Sequence, residues 1–208
     1  MSLSSLAPNN GMHRSTIAAT IRAIPPYDAL EAEHISDTLL WIASGAPLCR
    51  IHKPATPPRH LVSYFFLLDP ASQQLLLVDH REAGLWLPSG GHVEPDEHPR
   101  ATVEREVREE LQIEAQFLVH EPVFLTVTQT VGQTAGHTDV SLWYVLIGDC
   151  RRSLRFDSEE FLRIAWFPLH ELPLERADPH MKRFAAKLMT YLTKRRRSAS
   201  CPRAWCSK

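Results

Sequence analysis

The 208-residue chain is 44% hydrophobic and 23% charged, enough apolar material for one domain with appendages or at most two small domains. Its net charge of −1 hides an asymmetry: residues 193–208 hold six Lys or Arg and no acid, leaving 17 basic against 24 acidic side chains, a net of −7, on the other 192. An acidic body argues against stable nucleic-acid binding. The most apolar run, 61–68, is too short to span a bilayer, which argues against a membrane protein.

Residues 1–26 are polar and small without a sustained period, and read as a flexible tail. Residues 27–44 place Leu30, Ile35, Leu39, Leu40 and Ile42 at helical spacing before Gly45. That pattern predicts an amphipathic helix of about four turns, to cover the core or to form a homodimer contact. The Pro-rich stretch KPATPPRH is a stiff connector, so 27–59 is an extension and a domain begins near residue 60. Two apolar runs, 61–69 and 73–81, are joined by the turn-forming PAS and predict an antiparallel pair. Further strands are expected within 114–131, 138–148 and 161–169, and a helix over 178–194 with Met181, Phe184, Leu188 and Leu192 on one side. Strands mixed with helices indicate an α/β or α+β sandwich, followed by a basic tail over 193–208. Cys49, Cys150, Cys201 and Cys206 show no paired metal spacing, and nothing resembles a secretory signal. Reduced thiols in a cytoplasm are therefore the expectation.

Residues 90–113, GGHVEPDEHPRATVEREVREELQI, carry the chemistry. Asp96 or His98 can cap a helix and Pro99 suits its first turn. On the helical wheel Glu106, Glu109 and Glu110 fall within about 100° of one another, beside an apolar stripe of Val103, Val107 and Leu111. Carboxylates three and four residues apart repel one another by a few tenths of a kcal/mol per pair. A hard cation converts that repulsion into binding, and a Gly-Gly turn lets backbone atoms approach the same ion or a diphosphate. The other reading of such a helix is a solvated acidic face.

The spacing decides between them. Gly91, Glu97, Arg105, Glu106, Val107, Glu109, Glu110 and Ile113 stand where the Nudix box has its glycine, glutamates, arginine and aliphatics. Six of seven fixed positions match, an event expected on the order of 10⁻⁵ times by chance in such a chain. The segment resembles the signature of the Nudix hydrolases; the departure is Gln112, where the family has a glycine that ends the helix. The resemblance implies a Nudix-type α/β/α sandwich with a mixed β-sheet over 60–192, carrying an N-terminal helical extension. It also implies hydrolysis of a phosphoanhydride in a nucleoside diphosphate linked to another group, with Mg²⁺ or Mn²⁺. Glu106, Glu109 and Glu110 would bind metal together with a carbonyl of Gly90 or Gly91. Arg105 would hold the glutamates in place, Glu97 would pair with Arg105, and Glu106 is the candidate base. Glu159 and Glu160 are candidates for a further carboxylate. His137 and Asp139 alternate in one direction ahead of a strand and are candidates to face the small-molecule nucleotide or diphosphate substrate. Trp86 and Trp143 are candidates to stack on a base. Two other functions share such a fold: an isoprenoid-diphosphate isomerase, which wants a catalytic Cys and His, and a non-catalytic nucleotide sensor, which usually loses box carboxylates.

Overall fold

The computed structural model describes residues 10–52, 56–130 and 136–199. Helices α1 (Asn10–Arg22) and α2 (Ala29–Ala43) precede strands β1 (Arg59–Asp69), β2 (Gln74–His80), β3 (Leu85–Leu87) and β4 (Ser89–His92). Helix α3 (Pro99–Leu111) follows, then β5 (Phe124–Gln129), β6 (Thr138–Ile147), β7 (Phe161–Pro168) and helix α4 (Met181–Ala199). The seven strands form one mixed sheet in the order β3-β2-β1-β6-β5, with β4 beside β1 and β7 beside β2. Among the paired strands of this sheet, β1 and β6 run parallel and the other pairs antiparallel.

The unbroken apolar run of β1 follows from burial on both faces. Leu61, Phe65 and Leu67 pair with Val140, Tyr144 and Leu146 and meet Val103, Val107 and Leu111 of α3. Phe66 and Leu68 face the other way and share a core with Trp143, Val145 and the α4 residues Met181, Phe184 and Leu188. Each such side chain contributes about 1.5–3 kcal/mol by leaving water. On this second face α4 covers the later half of β1. The earlier half, with His60↔Asp139, Val62↔Ser141 and Tyr64↔Trp143 in register, lies beside a cavity.

Residues 10–22 correct the expected tail: they are helical, and Ile17, Ala18 and Ile21 are buried in the same core as α3. The Ile17–Ile21 spacing of four was the signal, diluted by polar neighbours. Arg14 ties α1 to the C-terminal end of α2, its Nη2 donating to the carbonyls of Ile42 (2.9 Å) and Ala46 (2.8 Å). At the other terminus α4 continues to Ala199, so 193–199 is helix rather than tail. Residues 1–9 and 200–208 of the expected tails, with Cys201 and Cys206, lie outside the described residues.

Helix α2 closes the sheet edge. Glu31 is fully buried; its Oε1 accepts from the Leu125 amide (3.1 Å) and from Lys187 Nζ (2.7 Å), and its Oε2 from the Tyr27 amide (2.6 Å). His34 Nδ1 accepts from the Val127 amide at 3.3 Å. Two β5 donors that face away from β6 are thus satisfied by side chains instead of another strand. Among the described residues no helix is long and apolar enough to cross a membrane.

Helix α3 starts as expected from His98, whose side chain accepts from the Arg100 amide, with Pro99 in the first turn. It ends at Gln112 in the left-handed conformation, φ 55° and ψ 38°, with its amide bonded to the Arg108 carbonyl. A side chain there costs about 1 kcal/mol. Gln112→Gly should therefore stabilise the protein by about 1 kcal/mol in urea denaturation; an unchanged or lower midpoint would show that Gln112 is not strained.

Candidate active site

A cavity of about 960 Å³ opens where β4 runs along β1, and both glycines of the Gly-Gly turn line it. Gly90 has φ +140°, and a Cβ there would lie 2.1 Å from the Ser63 carbonyl oxygen. At Gly91 a Cβ would fall 1.9 Å from Oε1 of Glu106. The Glu106 carboxylate thus occupies the space that any side chain at position 91 would fill, which brings an α3 carboxylate to the edge of the sheet.

Arg105 organises this corner. Its Nε and Nη2 donate to the two oxygens of Glu97 (3.0 and 3.1 Å), its Nη1 donates to Glu106 (2.7 Å), and Nη2 also reaches the His92 carbonyl (3.3 Å). Glu97 in turn accepts from the Thr102 hydroxyl (2.7 Å) and the Glu94 amide (3.2 Å). A forked, charge-assisted pair of this kind fixes both partners.

The acidic groups divide by burial. Glu110 is 3% exposed, and its Oε2 accepts no hydrogen bond among the described residues. Burial, then the neighbouring charges of Glu106 and Glu160, hold its carboxyl well above the usual carboxylate range. Glu106 is raised too, by burial first, against the pull of Arg105. Glu109 departs from the expected set: its side chain is 61% exposed, meets Arg105 at 3.3 Å and does not line the cavity. The wheel put three carboxylates on one arc, but only Glu106 and Glu110 turn toward the sheet. Glu160 lines the cavity and Glu159 does not.

Of the four candidate substrate contacts, His137 and Asp139 line the cavity and the two tryptophans do not. Trp143 is fully buried among Tyr64, Phe66, Phe124 and Phe184, with Nε1 donating to Thr126 at 2.9 Å, so it cannot stack on a ligand. Trp86 is 7% exposed, packed edge-on against Phe167 and covered by Arg163 at 5.0 Å from its ring centre. Both corrections have one cause: tryptophan is the largest filler available to a sheet core.

A family model, the NUDIX domain, matches residues 58–188. The chain belongs to the NUDIX family. A NUDIX-family hydrolase from Clostridium perfringens has a similar fold, 19% identical, with a match covering 64% of this chain and 98% of that one at a TM-score of 0.50. A MutT NUDIX hydrolase from Burkholderia pseudomallei is 23% identical over 61% of this chain and 95% of its own, at 0.46. The E. coli ORF135 protein is 26% identical over 64% and 89%, at 0.49. Comparison with curated proteins gives no match.

The NUDIX box suits a hard divalent cation on its own chemistry. Glu106 and Glu110 offer oxygen donors beside the backbone of Gly90 and Gly91, and the buried, unpartnered Glu110 Oε2 lacks what a cation would supply. Several cavity groups escaped the sequence reading. Arg50 and Asp178 both line the cavity; burial raises the Asp178 carboxyl to about 6. His92 also lines it, and burial, aided by Arg50, lowers its imidazole to about 3. His60 is fully buried at the head of β1. A histidine opening an otherwise apolar strand, and another directly after Gly-Gly, were the available signals.

Proposed function

We propose that the chain is a Mg²⁺- or Mn²⁺-dependent pyrophosphohydrolase that cleaves a phosphoanhydride bond in a nucleoside diphosphate-linked substrate. The observation that carries this reading is that Glu106 and Glu110 face one cavity, with Glu110 buried and its Oε2 without a hydrogen-bond partner among the described residues. A cavity of this size suits a nucleotide-sized ligand. Glu106, Glu110 and a backbone carbonyl of Gly90 or Gly91 would hold the cation, with the exposed Glu109 as an outer carboxylate. When bound, the cation would offset phosphate charge and lower the pKa of an attacking water.

The protein's own groups then divide the remaining work. Glu106, whose carboxyl burial raises above its ordinary value, is the candidate to take a proton from water. Arg105 keeps that carboxylate aligned, and Glu97 keeps Arg105 aligned. Arg50 adds positive charge to the cavity wall for the substrate's phosphates. Glu160 is a second carboxylate for the base role. Neither Cys49 nor Cys150 lines the cavity, which removes support for isomerase chemistry. Retention of every box carboxylate supports an enzyme over a sensor. The acidic body and free thiols suit a cytoplasmic enzyme acting on a small molecule.

The test is a substrate panel of oxidised and ordinary nucleoside triphosphates, nucleotide sugars, dinucleotide polyphosphates and diphosphoinositols. With Mg²⁺ or Mn²⁺ at least one should release phosphate or a nucleoside monophosphate product, and chelation should stop it. Failure across the panel with both ions would overturn the assignment.

A further inference from the structure

One wall of the cavity holds a second cluster that the box chemistry does not use. His60 on β1, His92 on β4, His137 just before β6 and Asp139 on β6 each bring one donor atom within 4.8 Å of all the others. The sheet register makes this meeting: His60 pairs with Asp139 across the parallel β1–β6 ladder, and His92 lies opposite Val62, two residues along the same face.

Three of these four atoms lack, among the described residues, the partners that buried polar groups require. His60 Nε2, His92 Nε2 and Asp139 Oδ1 are all buried without a hydrogen bond among the described residues. Asp139 Oδ1 approaches His60 Nε2 at 3.3 Å and His137 Nε2 at 3.2 Å, yet neither approach has hydrogen-bond geometry. Donor atoms around a tetrahedral ion with arms of about 2.0 Å stand about 3.3 Å apart.

The outer nitrogens explain why lone pairs converge here. His60 Nδ1 lies 3.0 Å from the Pro57 carbonyl, which can only accept, so Nδ1 carries the proton and Nε2 is left as a lone pair. The Thr130 hydroxyl, which donates to the His137 carbonyl (3.1 Å), lies 3.2 Å from His137 Nδ1; in the tautomer where Nδ1 donates to it, His137 Nε2 is left as a lone pair. Imidazoles held through the far nitrogen by a carbonyl or hydroxyl are how proteins aim histidine at a metal. Burial acts in the same sense on His92 and His137, disfavouring the protonated rings.

We propose that His60, His92, His137 and Asp139 form a second cation site, nitrogen-rich and selective for a borderline transition-metal ion such as Zn²⁺. Three imidazoles and one carboxylate suit Zn²⁺, Co²⁺ or Ni²⁺, whereas Mg²⁺ and Mn²⁺ favour the all-oxygen box. The ion would staple β4 to β1 and β6 and fix the strand that also carries Gly90 and Gly91. It would also add positive charge to the cavity wall, opposing the self-repulsion of the acidic groups across from it.

The test uses the tag-free 208-residue chain stripped with a chelator and titrated with Co²⁺, then Zn²⁺. One Co²⁺ per chain should bind with visible absorption bands of a nitrogen–oxygen site. Zn²⁺ should displace it and excess Mg²⁺ should not. The bands should persist in Glu110→Gln, whereas affinity should fall at least about 10-fold in His137→Gln and in Asp139→Asn. Wild-type protein that takes up no Co²⁺ or Zn²⁺ overturns the proposal, whatever the variants do. So does binding that Glu110→Gln abolishes, or that survives both cluster substitutions in variants with native circular dichroism. None of these readouts requires hydrolytic activity, so failure here is distinguishable from failure of the phosphoanhydride assignment.

Discussion

Glu110→Gln will lower phosphoanhydride turnover by about 10²–10⁴-fold, and will make the metal-free protein more stable at neutral pH. Both effects come from one buried carboxylate. In the folded chain its proton is held well above the ordinary value of 4.5, because burial and the charges of Glu106 and Glu160 penalise ionisation. On unfolding the carboxyl returns to about that ordinary value. Between the two the folded state binds more protons than the unfolded one, so stability falls as pH rises from about 4.5 through the raised folded pKa. Glutamine has nearly the same shape and no charge to bury. Urea midpoints without metal should therefore separate progressively in favour of the variant as pH increases, while the two proteins converge near pH 4.5. Added Mg²⁺ should raise the wild-type midpoint at neutral pH and leave the variant nearly unmoved. Parallel pH curves, together with undiminished turnover, would remove Glu110 from the site.

The second large effect lies outside the cavity. Glu31→Ala should cost about 3–5 kcal/mol of folding free energy. The carboxylate is fully buried and receives three hydrogen bonds, from Leu125, Lys187 and Tyr27. Its loss strands two backbone amides and leaves Lys187, only 12% exposed, without its carboxylate partner. The exposed pair of Asp37 with Arg59, at 2.6 Å, is the control, and Asp37→Ala should cost no more than about 1 kcal/mol. Chemical denaturation of the two variants measures both; similar small losses would show that α2 is only loosely attached.

What the sequence made legible was local. The Nudix box reads out because glycines, a cap and charges sit at fixed spacings in and just before a single helix, whereas the left-handed turn at Gln112, the one departure from the box, came from the structure. Strands β1, β2, β6 and β7 and helices α2 and α4 were equally plain, since period and turn residues mark them within ten or so positions. Three things were hidden because they depend on registry between distant segments. Helix α1 is stabilised by what Ile17 and Ile21 touch, and its own period is weak. Glu109 and Glu110 are the two ends of one 100° arc on the wheel, yet the sheet edge buries one and exposes the other. His60, His92 and His137 become neighbours only once β1 is flanked by β4 and β6.

The side chains that α2 lends to β5 carry a lesson about where this catalytic unit begins. A chain cut back to residue 60 would keep every box residue, but the outer rim of β5 would lie open, with the amides of Leu125 and Val127 offered to any passing strand. It would also lose Ile17, Ile21 and Ile42 from the core that supports α3. The extension thus packs into the same core as α3 and covers the edge of β5. The residues that make the chemistry recognisable are not the ones that cover this edge.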